Sequence, residues 1–184
     1  IDAYFVHLLI LIGIYSILAI SLQLSLGYSG LLNLGHIAFF GIGAYASAIL
    51  ALNGFPFLIC LVAAGIISAF FGWLLSIPTN KLKGDYLALV TLGFSFVVYA
   101  VLLNWTTLTK GSLGLPGIPR PIIADIDFSE NTFFLILVFV IAFASYLFIN
   151  RICKSSFGKV LEATRDDELA AKSLGKNTTK IKSV

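Results

Sequence analysis

The chain carries no aspartate, glutamate, lysine or arginine between residues 3 and 80, and this uncharged run limits its possible folds more than any other feature. Residues 86–109 and 131–150 form two further uncharged runs. A membrane-spanning helix needs about 20 apolar residues, so the first run has room for about three spans and each of the others for one. Charged residues make up 11% of the chain, whereas soluble domains carry about 25%. We therefore predict an integral, helical membrane protein.

The predicted fold class is all-α, a polytopic bundle of transmembrane helices followed by a short pair of cytosolic helices. We place spans at residues 4–26, 33–52, 56–78, 86–105 and 132–150, which together make a membrane domain over residues 1–150. The chain starts at Ile1, contains no methionine and stops soon after a potential helix start at Asn177 or Thr178. We therefore expect it to be a fragment of a longer protein.

The basic residues predict which side of the membrane each loop faces, because short cytoplasmic loops are enriched in lysine and arginine. Loop 79–85 contains Lys81 and Lys83, and the tail 151–184 carries basic residues along its whole length. In loop 106–131 the acidic residues outnumber the basic ones. We expect the first two segments to be cytoplasmic and the third to be external. The net charge of +3 reflects this asymmetry and does not indicate nucleic-acid binding.

Segment 33–52 leaves two topologies open. If it crosses the membrane fully, Ile1 is external; if it is re-entrant, Ile1 is cytoplasmic. Asn33, Gly35 and His36 near its start are compatible with irregular backbone. Such backbone persists at membrane depth only where protein or water shields it.

Motifs that carry catalysis are missing from the sequence, which has no Walker A loop, GxSxG elbow, HExxH pair or CxxC pair. We therefore predict no enzyme activity, no catalytic residue, no metal site and no cofactor bound by this chain. The predicted spans contain no charged residue, although ion- and proton-coupled carriers typically need such groups. Energy for transport would then enter from outside the spans.

Three polar residues are candidates to line a translocation path: Gln23, Asn33 and His36. Each also has a structural alternative. Gln23 can bond across helices, Asn33 can cap the helix that follows it, and His36 can be hydrogen-bonded within the bundle. The sequence leaves both readings open.

Residues 155–175 are typical of two short amphipathic helices joined at an acidic corner. The first helix has four residues at the spacing of one face: Phe157, Val160, Leu161 and Thr164. The second is predicted to begin at Asp166 as its N-cap and to end at Gly175. A helix of fewer than about ten residues is unstable alone in water. We therefore expect the second helix to dock on a partner protein.

Four blocks of sequence, in this order, resemble the LivM-type permease subunit of branched-chain amino acid ABC transporters: GYSGLLNLGHIAFFGIGAYASA, LKGDYLALVTLGF, TKGSLGLPGIP and FGKVLEATRDDELAAKSLG. The resemblance covers about residues 10–180. The second block is closer to the LivM type than to the related LivH type. The resemblance also implies further spans after the fourth block.

The resemblance implies an ABC importer permease that moves branched-chain amino acids across the inner membrane. Its implied partners are a second, LivH-like permease subunit, ABC ATPase subunits that bind ATP and magnesium, an external substrate-binding protein and membrane lipid. The tail 151–184 would be a cytoplasmic, EAA-like coupling loop followed by the start of another helix.

The same resemblance assigns contact with the ATPase to eight residues: Gly158, Arg165, Asp167, Glu168, Leu169, Ala170, Ala171 and Gly175. Leu169 separates Glu168 from Ala170, so the strict Glu-Ala-Ala spelling is absent. Asp167 and Glu168 would contact the ATPase or cap the helix, and Leu169 would fill a groove of the ATPase.

Three other functions stay open at the level of sequence. A permease of the same family could carry urea or short amides. A gradient-driven carrier or channel would need intramembrane charges or a filter-like loop. A structural membrane subunit would bind a scaffold through its tail and show no ATP-dependent flux.

Overall fold

The computed structural model describes residues 3–79, 82, 84–123, 126–128 and 130–167, and these are almost entirely helical. The helices are α1 Ala3–Gln23, continued by a π-helical turn at Leu24–Tyr28, α2 His36–Leu52, α3 Phe57–Thr79, α4 Asp85–Asn104, α5 Thr106–Thr109, α6 Asn131–Lys154 and α7 Ser156–Asp166. A 3₁₀ turn covers Gly111–Leu113, and strand β1 Ile122–Ile123 pairs antiparallel with strand β2 Ile126–Asp127. The all-α fold class is confirmed, with this minimal hairpin as its only addition in the described part of the chain.

Four helices in the described ranges are long and apolar enough to cross a membrane: Tyr4–Tyr28, Phe57–Thr79, Asp85–Asn104 and Asn131–Lys154. Large apolar side chains are exposed along all of them, as expected for helices that face lipid or other membrane helices. The chain is a multi-pass membrane protein. Helix α2 has 17 residues and is about 25 Å long, a little short of the hydrocarbon thickness of about 30 Å.

The chain divides into two compact units, and the first consists of Ile1–Leu32 with Glu130–Val184. Its described core joins α1 to α6 through Val6, Ile10 and Val138. Gly13 faces Val138 so closely that an added Cβ would lie 2.6 Å from its Cγ1.

Helices α1 and α6 run parallel, because contacts between them rise in residue number together. Val6 and Ile10 pack with Val138 near the start of both helices. Gln23 and Asn150 line one cleft near the end of both. The start of α1 therefore lies at the same end of this unit as the start of α6.

The second unit is Asn33–Ser129, in which α2 packs against α3 and α4. Ser68 of α3 donates a hydrogen bond to the carbonyl of Phe39 at 3.1 Å, and Gly43 lies against the same hydroxyl. The rings of Phe39 and Phe94 lie 5.5 Å apart. Small residues at this contact let the helix backbones approach closely.

The segment after α4 folds back over the end of that helix. Thr109 is 1% exposed and donates to the carbonyls of Leu102 at 2.6 Å and Trp105 at 2.8 Å. Its hydroxyl also accepts from the N–H of Gly111 at 3.2 Å. These bonds satisfy carbonyls that the end of a helix leaves without a donor, so this part of the predicted external loop is ordered.

Candidate functional site

A single residue, Ser155, separates the end of α6 from the start of α7 and forms the corner between them. Its hydroxyl accepts a hydrogen bond from the N–H of Gly158 at 3.4 Å, the usual geometry of an N-cap. The same hydroxyl donates to the carbonyl of Ile152 at 2.6 Å. Because one side chain holds the last turn of α6 and the first turn of α7, the direction of α7 is fixed relative to α6.

Gly158 lies where α7 presses against the end of α6, and no larger residue fits there. An added Cβ would collide with the carbonyl of Cys153 and would lie 2.7 Å from the carbonyl of Ile152. Gly158 was predicted as a residue that contacts the ATPase. The structure gives it a clear local role, which is to let the two helices meet.

The buried face of α7 consists of Gly158, Leu161 and Thr164. Leu161 is 4% exposed and Thr164 is 3% exposed, whereas Phe157 lies at the edge of this face and is 37% exposed. The predicted face included Phe157 and omitted Gly158. The difference arises because the tight corner at Ser155 turns Gly158 toward α6.

Arg165, near the end of α7, reaches the turn that follows α1. Its Nη1 donates to the carbonyl of Gly27 at 2.5 Å. Its aliphatic stem covers Gly30, where an added Cβ would lie 2.5 Å from the Cγ of Arg165. Gly30 also has φ +64°, a conformation that favours glycine. Gly30 thus makes room for the arginine, and Gly27 offers it a carbonyl.

Two carboxylates hold the guanidinium of Arg165 from the other side. Asp166 accepts from Nε at 3.0 Å and lies 2.9 Å from Nη2. Glu162 lies 3.8 Å from Nη2. The guanidinium therefore bridges acidic residues of α7 and a backbone carbonyl of the turn after α1.

The predicted acidic corner is displaced by one residue. Asp166 does not begin a second helix; it is the last residue of α7, and its carboxylate pairs with Arg165. Asp167 follows in an extended conformation. The remaining predicted residues lie outside the described part of the chain: Glu168, Leu169, Ala170, Ala171 and Gly175.

A cleft of about 440 Å³ lies between the last turns of α1 and α6. Its lining is Ala19, Ile20, Gln23, Tyr28, Tyr146, Ile149, Asn150 and Cys153. Gln23 was a candidate path residue, and its amide packs over Gly27 at the edge of this cleft. Tyr28 and Cys153 lie near each other in the lining of the cleft. Sequence reasoning did not select Tyr28, Asn150 or Cys153, because only the pairing of α1 with α6 brings them together.

In the second unit, the turn before α2 is pinned to α4. Thr91 accepts a hydrogen bond from the N–H of Leu34 at 3.1 Å, and Ser95 donates to the carbonyl of Leu34 at 3.2 Å. An added Cβ on Gly35 would lie 2.9 Å from the carbonyl of Thr91. The first two sequence blocks thus meet through their NLGH and VTLGF segments.

The structural alternative for Asn33 needs correction. Its side-chain oxygen accepts from the N–H of Gly35 at 2.9 Å, which makes a turn before the helix and leaves α2 without a side-chain cap. His36 is the first residue of α2 and is half-buried. Gln23 belongs to the first unit, whereas Asn33 and His36 belong to the second.

The family model described as branched-chain amino acid transport system, permease component, matches residues 4–184. The chain belongs to this family. The resemblance predicted from the four sequence blocks is thereby confirmed. A permease component is a transport protein, which agrees with the expectation that the chain is not an enzyme.

Curated relatives of this permease family are similar over nearly the whole chain. The high-affinity branched-chain amino acid transport system permease protein LivM of Salmonella typhimurium strain LT2 is 40% identical, over 92% of this chain and 45% of its own length. The LivM protein of Escherichia coli K12 is 39% identical over the same shares. A probable LivM protein of Methanocaldococcus jannaschii is 30% identical, over 95% of this chain and 60% of its own length. The chain spans about half the length of these curated relatives, and no solved structure matches it.

Proposed function

We propose that this chain is part of the permease subunit of an ABC importer that moves branched-chain amino acids across the inner membrane. The observation that carries the proposal is its 40% identity, over 92% of the chain, to a protein named as a high-affinity branched-chain amino acid transport permease. The long apolar helices lack acidic and basic residues through their central turns, so ATP hydrolysis on a separate subunit is the proposed energy source.

The proposed partners are a second, LivH-like permease subunit, ABC ATPase subunits and an external substrate-binding protein, with lipid around the spans. The basic tail 151–184 is proposed to face the cytoplasm. The residues that follow α7 would then present the docking surface for the ATPase. Its proposed contact residues are Asp167, Glu168, Leu169, Ala170, Ala171 and Gly175.

This orientation has a consequence for α1, because α1 is parallel to α6. If the end of α6 is cytoplasmic, the end of α1 is cytoplasmic too, and the start of α1 is external. Of the two topologies left open by the sequence, this supports full crossing by segment 33–52.

Two substitutions test the docking surface. Leu169→Asp would place a charge in an apolar contact, and Gly175→Glu would add a side chain at the proposed helix end. Both are expected to abolish leucine uptake while the protein still accumulates in the membrane. Lys159→Gln, at an exposed position of α7, is the control and should transport normally. Normal uptake by both docking variants at normal abundance would exclude this surface.

The function itself is tested by purifying the full-length protein with its bound subunits and identifying them. We expect an ATPase of the ABC type in the complex, together with ATP-dependent uptake of leucine into proteoliposomes. Uptake of urea or a short amide in place of leucine would show that the complex carries another substrate class of the same family. Flux that needs an ion gradient and no ATP would exclude an importer of this kind.

A further inference from the structure

The last backbone carbonyls of α1 need hydrogen-bond donors from outside the helix. Its last residues form the π-helical turn Leu24–Tyr28, and the chain then turns at Ser29 and Gly30. The N–H groups of Ser29 and Leu31 bond back to the carbonyls of Leu24 and Ser25. The last carbonyls of a helix lack donors within the helix and carry the negative end of its dipole. A cation at this point is doubly favoured.

Arg165 supplies this cation from another helix. Its Nη1 donates to the carbonyl of Gly27, so an arginine 138 residues away in sequence caps the end of α1. Basic side chains are known to cap helix ends in this way. Asp166 pairs with Nε and Nη2, and in this arrangement Nη1 points at the carbonyl of Gly27.

Helix α7 is therefore attached at both of its ends. At its start, Ser155 and Gly158 lock it against the last turn of α6. At its end, Arg165 locks it against the last turn of α1. A force applied to α7 reaches two parallel membrane helices through these two contacts.

We infer that Arg165 is a positioning residue inside the permease, which couples movement of α7 to α1, and that it is not a contact residue for the ATPase. The inference rests on the proposed function, since it assumes that the ATPase acts on α7. The Nε, Nη1 and Nη2 atoms of Arg165 all face groups of its own chain, and this arrangement favours a role inside the permease.

Arginine is suited to this role and lysine is not. One guanidinium can bond a carbonyl and a carboxylate at the same time through separate nitrogens, whereas an ammonium is a single point charge on a flexible stem. Arg165→Lys should therefore keep the charge at the end of α1 but loosen the geometry. Arg165→Gln removes both the charge and the guanidinium nitrogens that make the two contacts.

The test uses the full-length complex in proteoliposomes and three readouts: ATPase subunits retained on purification, ATP hydrolysed, and leucine taken up per ATP. For Arg165→Gln we expect the ATPase to be retained while leucine per ATP falls about tenfold, within the range of a typical coupling free energy. Arg165→Lys should fall between Arg165→Gln and the unchanged protein. Lys159→Gln removes a charge from the same helix and should leave all three readouts unchanged.

A second variant removes the contact without touching the arginine. Gly30→Ala places a methyl group where the Arg165 stem lies and also strains the backbone, because Gly30 has φ +64°; the same drop in leucine per ATP is expected. This variant decides the matter if Arg165→Gln fails to accumulate. Unchanged leucine per ATP in both variants would overturn the inference, and so would loss of the bound ATPase from the Arg165 variants alone. Failure of the unchanged complex to take up leucine with ATP would instead overturn the proposed function.

Discussion

Several contacts of the candidate site form only because a glycine stands where a Cβ would collide with a neighbouring segment. Gly158 lets α7 meet α6, Gly30 makes room for Arg165, and Gly35 lets the turn before α2 touch Thr91. The sequence blocks drew attention to these glycines, but their partners lie on other helices. Spacing along one segment cannot show which carbonyl or side chain a glycine will face, so these roles could not be derived before the fold.

The first prediction concerns Gly158. Gly158→Ala forces a methyl group against the carbonyls of Cys153 and Ile152, and overpacking of this kind costs about 1–3 kcal/mol. The thermal midpoint of the purified full-length protein should fall, and α7 should shift. Gly65→Ala is the control, because nothing lies within 4 Å of the added Cβ. Equal midpoints for the two variants would contradict the tight contact.

The second prediction concerns Thr91, whose hydroxyl accepts from the N–H of Leu34. Thr91→Val keeps the shape but leaves that N–H without its partner, at a cost of about 1–3 kcal/mol. The unfolding midpoint should drop, whereas Thr91→Ser keeps the hydroxyl and should stay near the unchanged protein. If valine and serine behave alike, the hydroxyl does not pin the turn to α4.

At the scale of helices, hydrophobic runs and charge placement were sufficient to find the long elements. A helix occupies each segment for which the sequence predicts a span, with ends that differ by a few residues. Helix α7 also forms where amphipathic spacing predicts it, but it continues through Asp166. The acidic pair suggested a boundary there because aspartate is a good N-cap. The structure instead uses the Asp166 carboxylate to hold Arg165, a tertiary contact that local propensity does not report.

The third prediction concerns the corner that sets the direction of α7. Ser155→Ala removes the N-cap, a change that costs about 1 kcal/mol, and also removes the bond to Ile152. Amide hydrogen exchange in the first turn of α7 should become faster. Ser156→Ala, at the exposed next position, should exchange at the normal rate. Equal protection in both variants would show that Ser155 does not hold this helix.

At the scale of the whole molecule, the parallel arrangement of α1 and α6 is the finding that the sequence could not supply. Charge bias orients the loops that carry charges, but the first uncharged run holds no such marker. The direction of α1 relative to α6 comes from two contacts: Val6 packs with Val138 near the start of both helices, and Gln23 shares a cleft with Asn150 near their ends.

The fourth prediction tests that topology by cysteine labelling in cells that produce the full-length protein. Tyr4→Cys and Leu113→Cys introduce exposed thiols and should react with a membrane-impermeant reagent added outside. Lys159→Cys should react only after permeabilisation. The unchanged protein is the control, because Cys60 and Cys153 are buried. Labelling of Tyr4→Cys from inside alone would favour a re-entrant segment 33–52.

Leucine uptake by the full-length complex in sealed proteoliposomes would show which energy source drives transport. We predict uptake that requires ATP in the compartment facing α7 and that continues when ionophores remove all ion gradients. Uptake that stops with the gradients, or that proceeds at the full rate without ATP, would contradict the assignment of this chain to an ABC importer permease.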